Sequence, residues 1–98
     1  MIEHLVIFKW KPDTTESQIA AAHGALLGLK DSIPGIVSIT CGSTISDRGQ
    51  GYTTGLVVRL ENKAALDAYG PHPAHQAVVA NFISPIRENL IAIDYEVG

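Results

Sequence analysis

Ile2-Glu3-His4-Leu5-Val6-Ile7-Phe8-Lys9-Trp10 alternates from end to end. Ile2, His4, Val6, Phe8 and Trp10 fall on one face of an extended chain; Glu3, Leu5, Ile7 and Lys9 fall on the other. A period of two, rich in β-branched and aromatic residues, is the pattern of a strand. Both faces carry apolar residues, so both are expected to be covered. Pro12 and Asp13 end it.

The next signal is Thr15-Glu16-Ser17-Gln18, a capping box in which the Thr hydroxyl takes the N3 amide and Gln18 reaches back. Ile19, Ala22, Leu26, Leu29 and Ile33 then recur at spacings of three and four, predicting an amphipathic helix over 16–31. Gly24 and Gly28 lie on one stripe of it and suggest close helix–backbone packing. Pro34-Gly35 breaks the chain, and Ile36 to Cys41 reads as a second strand with Val37, Ile39 and Cys41 on one face. Residues 42–51 form a polar, Gly-rich loop. Residues 53–60 alternate again, with Thr54, Leu56, Val58 and Leu60 on one side. Asn62 can cap a helix over 63–69. Gly70-Pro71-His72-Pro73 halts it, and Pro73 suits the first turn of a new helix over 74–83. Pro85 closes that helix, and residues 90–97 form the last strand.

The order is βαβ twice in 98 residues, which fits one domain over 1–98. Two such crossovers make a ferredoxin-like α+β sandwich with both helices on one sheet face. The other face carries Leu5, Ile7 and Val57, and no element of the chain remains to cover it. A second copy is the natural cover, so a homodimer is expected.

Composition narrows the function. Hydrophobic residues are 46% and charged residues 17%, the balance of a folded domain. Seven basic against ten acidic residues give a net charge of −3, which argues against nucleic acid as partner. Cys41 is the only cysteine, so no intrachain disulfide and no Cys-rich zinc cluster can form, and a reducing cytoplasm fits. The start MIEHLVIFKWKP lacks the pattern of a signal peptide, and no apolar run reaches the roughly 18 residues of a membrane span.

Four histidines could carry chemistry: His4, His23, His72 and His75. His4 shares a strand face with Val6 and Phe8, where a histidine is often a hydrogen-bonded core group. His23 borders the apolar stripe of the first helix and can reach a pocket edge. His75 belongs to the first turn of the new helix, near a positive helix end that disfavours the imidazolium. A neutral imidazole there is a competent general base. Tyr69 ends the preceding helix and can aim its hydroxyl into the same space. His72 and His75 are three apart across a helix start and no acidic residue flanks them, so no metal site is expected. Cys41 reads as a small core residue, and no phosphate loop or Gly-x-Ser-x-Gly motif is present.

His4-Leu5-Val6, Ile33-Pro34-Gly35, Gly51-Tyr52-Thr53, Tyr69 with His72-Pro73-Ala74-His75, and Ile93-Asp94-Tyr95 together resemble the stress-responsive A/B barrel (Dabb) family over nearly the whole chain. The resemblance implies a dimeric α/β barrel, two subunits pairing their sheets with the helices outside. It implies a pocket in each subunit between sheet and helices, and no cofactor. By analogy with a plant polyketide cyclase of the family, His75, Tyr69 and His4 are the candidate catalytic residues. His75 would take a proton beside a carbonyl, Tyr69 would orient it or polarise the substrate, and His4 would shape the pocket. Val6, Phe8, His23, Leu56, His72 and Val78 are the expected substrate-binding residues. Where the cyclase has large aromatics on its first helix, this chain has Ala22, His23 and Leu26, so its pocket differs in shape. Three readings stand: a pocket protein that binds a small molecule, a cofactor-free cyclase, lyase or isomerase, and a structural dimer with satisfied core histidines.

Overall fold

The computed structural model describes residues 1–98. Strand β1 (Ile2–Trp10) leads to helix α1 (Glu16–Ser32) and strand β2 (Ile36–Ser43). Strand β3 (Thr54–Leu60) leads to helices α2 (Lys63–Tyr69) and α3 (Pro73–Val78), a π-helical segment (Val79–Ile83) and strand β4 (Arg87–Glu96). The four strands form one antiparallel sheet in the order β2-β3-β1-β4. This is the ferredoxin-like α+β arrangement the alternation predicts.

The core lies between the helices and one sheet face. Ile2, Val6, Phe8 and Trp10 of β1 meet Leu56, Val58 and Leu60 of β3, and Ala22, Leu26 and Leu29 of α1, with Ile33 at its C-cap, cover them. The capping box forms as read: Gln18 N–H donates to Thr15 Oγ1 at 3.1 Å, and Thr15 N–H donates to Gln18 Oε1 at 2.9 Å. No helix is long and apolar enough to cross a membrane.

Three local readings change. Val37 is exposed rather than on one face with Ile39 and Cys41, because the β2–β3 register slips between Ile36 and Ser38 and Ile36 takes the inward place. The single helix expected over 74–83 is α-helical only to Val78. Beyond it, Ser84 N–H donates to Val79 O at 2.8 Å, the wider i→i+5 closure of a π turn. Strand β4 starts at Arg87, three residues before the expected position, with a register irregularity opposite Lys9 and Trp10.

The glycines of α1 also differ from expectation. A Cβ on Gly24 or Gly28 would meet no neighbouring atom within 4 Å, so this stripe faces open space. Gly35 is the opposite case. Its φ of +91° is a left-handed conformation, and a Cβ there would lie 2.7 Å from Ala65 Cβ. Gly24→Ala is therefore expected to stabilise the fold by roughly 0.5–1 kcal/mol. Gly35→Ala is expected to destabilise it by about 1–3 kcal/mol, from strain and overlap together. Denaturant midpoints of the two variants, moving in opposite directions, check the assignment.

Candidate functional site

A cavity of about 270 Å³ opens between sheet and helices. Its floor is His4, Val6 and Phe8 of β1, Leu56 of β3, and Leu90 and Ala92 of β4. The inward side of the strand alternation supplies these residues. Leu26 of α1, Tyr69 of α2, His75 of α3 and Val79 and Ile83 of the π segment form the roof. Arg87 completes the lining.

The polar groups gather where α2 gives way to α3. The Tyr69 ring lies 4.5 Å from the His75 ring and 5.4 Å from the His4 ring, centroid to centroid. Two short helices meeting at a proline-rich turn produce this. His72 caps α3, its Nδ1 accepting from Ala74 N–H at 3.0 Å, and Pro73 occupies the first helical position. His75 then stands on the first turn, and its Nδ1 lies 2.9 Å from Gly70 O. A carbonyl oxygen only accepts, so His75 Nδ1 carries the hydrogen. In the neutral ring, Nε2 is left with the free lone pair.

His4 is oriented in the same way from the sheet. Asp94 is its direct partner across β1 and β4, and His4 Nδ1 donates to Asp94 Oδ1 at 2.5 Å. That bond leaves Nε2 as the unpartnered nitrogen. Tyr69 is 3% exposed, yet its hydroxyl bonds to no group of the chain. Thr14 Oγ1 is the only fully occluded side-chain polar atom that lacks a partner. The Tyr69 hydroxyl and the free nitrogens of His4 and His75 therefore all remain within reach of water. The cavity lining thus carries three neighbouring rings, each with an open polar atom, and apart from these and Arg87 it is apolar.

The electrostatics fit proton transfer. Burial lowers the His75 pKa below the ordinary imidazole value, helped by the nearby imidazoles of His4 and His72; the Gly70 hydrogen bond pulls the other way. Burial pushes the Tyr69 phenol up to about 12, so it stays protonated and can donate. Burial likewise pushes the Cys41 thiol up to about 11, far from a reactive thiolate.

Of the residues singled out from the sequence, His4, Val6, Phe8, Leu56, Tyr69 and His75 come together at the cavity. His23, His72 and Val78 do not line it. His23 Nε2 is 2.9 Å from Thr54 Oγ1, which also accepts from Trp10 Nε1–H at 2.9 Å. This buried hydroxyl holds His23 at a separate cleft with Glu16, Ile19 and Thr53. His72 is engaged as a helix cap, and the π turn sets Val79 and Ile83 on the cavity in place of Val78. No hydrogen bond joins Tyr69 to His75: the Gly70 carbonyl holds the imidazole, and the Tyr69 ring packs against it. Asp94 and Arg87 were missed as site residues. Alternation from Leu90 places Asp94 on the His4 side; nothing local marks Arg87. His, Cys, Asp and Glu side chains nowhere gather in a group of three able to hold a metal ion.

A family model described as "Stress responsive A/B Barrel Domain" matches residues 2–97. The chain is 31% identical over 97 residues to a stress-response A/B barrel domain-containing protein of Arabidopsis thaliana, covering 97% of this chain and 36% of that protein. It therefore spans about a third of that relative's length. It is 26% identical to olivetolic acid cyclase of Cannabis sativa, over 96% of this chain and 94% of the cyclase. Among solved structures, a dimeric ferredoxin-like protein of unknown function from Thermobifida fusca superimposes with a TM-score of 0.86. It is 26% identical, over 98% of this chain and 90% of that one.

The depressed His75 pKa has a consequence for stability. The unfolded chain binds this proton more readily than the folded one, so unfolding is coupled to proton uptake at acid pH. The stability tied to neutral His75 is fully present above the ordinary value near 6.5, and is lost as pH falls toward the lower folded value. An NMR titration of the His75 ring is expected to give a midpoint below 6.5. His75→Gln should flatten the fall in denaturant midpoint on acidification. His23, lowered by burial too, keeps part of the slope. A His75 midpoint at or above the ordinary value would contradict the buried, neutral assignment.

Proposed function

The chain belongs to the stress-responsive A/B barrel (Dabb) family, and from that premise we propose that it is a homodimer in which each subunit binds a small molecule between sheet and helices. The observation that carries this reading is the set of three open polar atoms, on His4, Tyr69 and His75, at an apolar cavity. A concave apolar site with a few convergent polar groups is the general form of a ligand pocket. A purely structural role gives no reason for a cavity of about 270 Å³ in so small a domain.

The dimer follows from the other sheet face. Ile91, Ile93 and Tyr95 are 48%, 53% and 48% exposed. They stand beside Ile7, Leu5 and Glu3 in register, with Val57 next to Leu5 on the far side. A contiguous apolar sheet face of this kind is stable in water only when covered. The Thermobifida fusca protein of the same fold is described as dimeric, which supports the same cover here.

A second reading is favoured by the hydrogen bond from His75 Nδ1 to Gly70 O, which presents Nε2 as a base. In this reading the protein is a cofactor-free lyase or cyclase. His75 Nε2 takes a proton from the carbon beside a substrate carbonyl. The Tyr69 hydroxyl donates to the carbonyl oxygen as charge develops on it, the usual device for stabilising an enolate. The imidazolium then returns the proton to the product. His4, locked by Asp94, holds the far side of the substrate. The likeness to olivetolic acid cyclase supports this class of chemistry.

Light scattering is expected to give about twice the chain mass of 10.5 kDa, and Ile93→Asp to give a folded monomer. A wild-type monomer at micromolar concentration would sink the barrel arrangement. Small carbonyl compounds that bind should shift the NMR signals of His4, Tyr69 and His75 and leave those of the His23 cleft in place. For any compound turned over, His75→Ala is expected to lower the rate by about 10²–10⁴. Unchanged turnover in that variant removes His75 from the chemistry.

A further inference from the structure

Arg87 sits where β1 and β4 fall out of step. The two strands pair in register from Ile2 with Glu96 to Lys9 with Asn89, and then Trp10 pairs with Arg87. Glu88 is thus the extra residue of a β-bulge. Without it, strict alternation would set Arg87 on the outer face with Asn89, Ile91 and Ile93. With it, Arg87 stands beside the inward-facing Trp10 and lines the cavity with Leu90 and Ala92. Glu88 turns the other way, and its carboxylate lies 3.8 Å from Lys9 Nζ. The bulge therefore separates two adjacent, opposite charges and delivers the positive one to the cavity.

Arg87 has no carboxylate within ion-pair distance; the ion pairs of Lys and Arg in the chain are Lys9–Glu88, Arg59–Glu3 and Lys63–Asp67, and Asp94 is taken by its hydrogen bond to His4. It is the only cationic side chain other than histidine on the cavity lining, and it lies at the opposite end of β4 from Asp94 and His4. Apolar floor separates the two ends: in register, the pairs Phe8–Leu90 and Val6–Ala92 lie between them. The protein as a whole carries a net charge of −3, so it has no general attraction for anions.

We propose that Arg87 is an anion-binding residue that selects the ligand: the cavity takes an amphiphile with an anionic head at Arg87 and an apolar body running toward His4, Tyr69 and His75. This inference rests on the reading of the cavity as a ligand pocket, and it adds the charge and polarity of the ligand. A guanidinium pairs in a fork with either a carboxylate or a phosphate monoester. Both head groups share the required chemistry.

The test compares decanoate, decyl phosphate and methyl decanoate, below their aggregation concentrations and at low salt. Each is titrated by NMR against the wild type, R87Q and R87K. At least one anion is expected to bind the wild type about tenfold or more tighter than the neutral ester, as for a charge-assisted hydrogen bond. The tighter of the two anions identifies the head group. R87Q should erase the difference while leaving ester affinity in place, and R87K, which keeps charge without the fork, should retain part of it. Equal wild-type affinity for anions and ester, or a difference that survives in R87Q, overturns the assignment of Arg87 alone. Absence of binding by all three overturns it together with the pocket reading. Should R87Q fail to fold, the wild-type comparison and R87K still decide the matter.

Discussion

The pairing of β1 on both of its edges is the constraint on which the molecule depends. β3 lies on one side and β4 on the other, both antiparallel, and strict alternation sends every second side chain of β1 toward the helices. The same periodicity sorts two jobs. Val6, Phe8 and Trp10 anchor the core, while His4, one step earlier on the same face, is set against Asp94 and the Tyr69 ring. A register slip of one residue would move all of them to the other face at once, so core and site share one specification.

The second determinant is the abrupt change from α2 to α3. A continuous helix would have given His75 no carbonyl to lean on. The Gly70-Pro71-His72-Pro73 break exposes the Gly70 carbonyl and places His75 five residues on, where its Nδ1 donates to it. Backbone geometry alone thereby chooses the tautomer of the ring. Beyond α3 the π segment widens the chain path by one residue per turn, and Val79 and Ile83, four apart, both reach the cavity. Irregular helix at this point is what leaves the cavity its shape.

Much of this was legible in residue order. The alternation in β1 and β3, the capping box at Thr15 and the Pro-Gly break at residues 34 and 35 are local signals, set by neighbours along the chain, and they placed the elements correctly. The His-Pro-Ala-His run likewise announced a fixed imidazole. The missed features depend on pairing between distant segments. The bulges at Val37 and Glu88 arise from strand partners elsewhere in the sequence, so Val37 was misplaced and Arg87 was left in a loop. His23 looked like a pocket-edge residue by its place on α1. Thr54, thirty-one residues away, claims it instead.

The sequence by itself determined the fold class, the faces of β1 and β3 and the presence of a rigid histidine at a helix start. Each follows from periodicity and from steric rules that act over a few residues. Only the folded structure decided which polar atoms are left open, through long-range partners for His4 and His23 and the path of the chain break for His72 and His75. That depends on which partner reaches each ring first: Asp94 for His4, Gly70 for His75, Ala74 for His72 and Thr54 for His23. A histidine offers two nitrogens, and the one that the fold leaves unpartnered is free for a ligand.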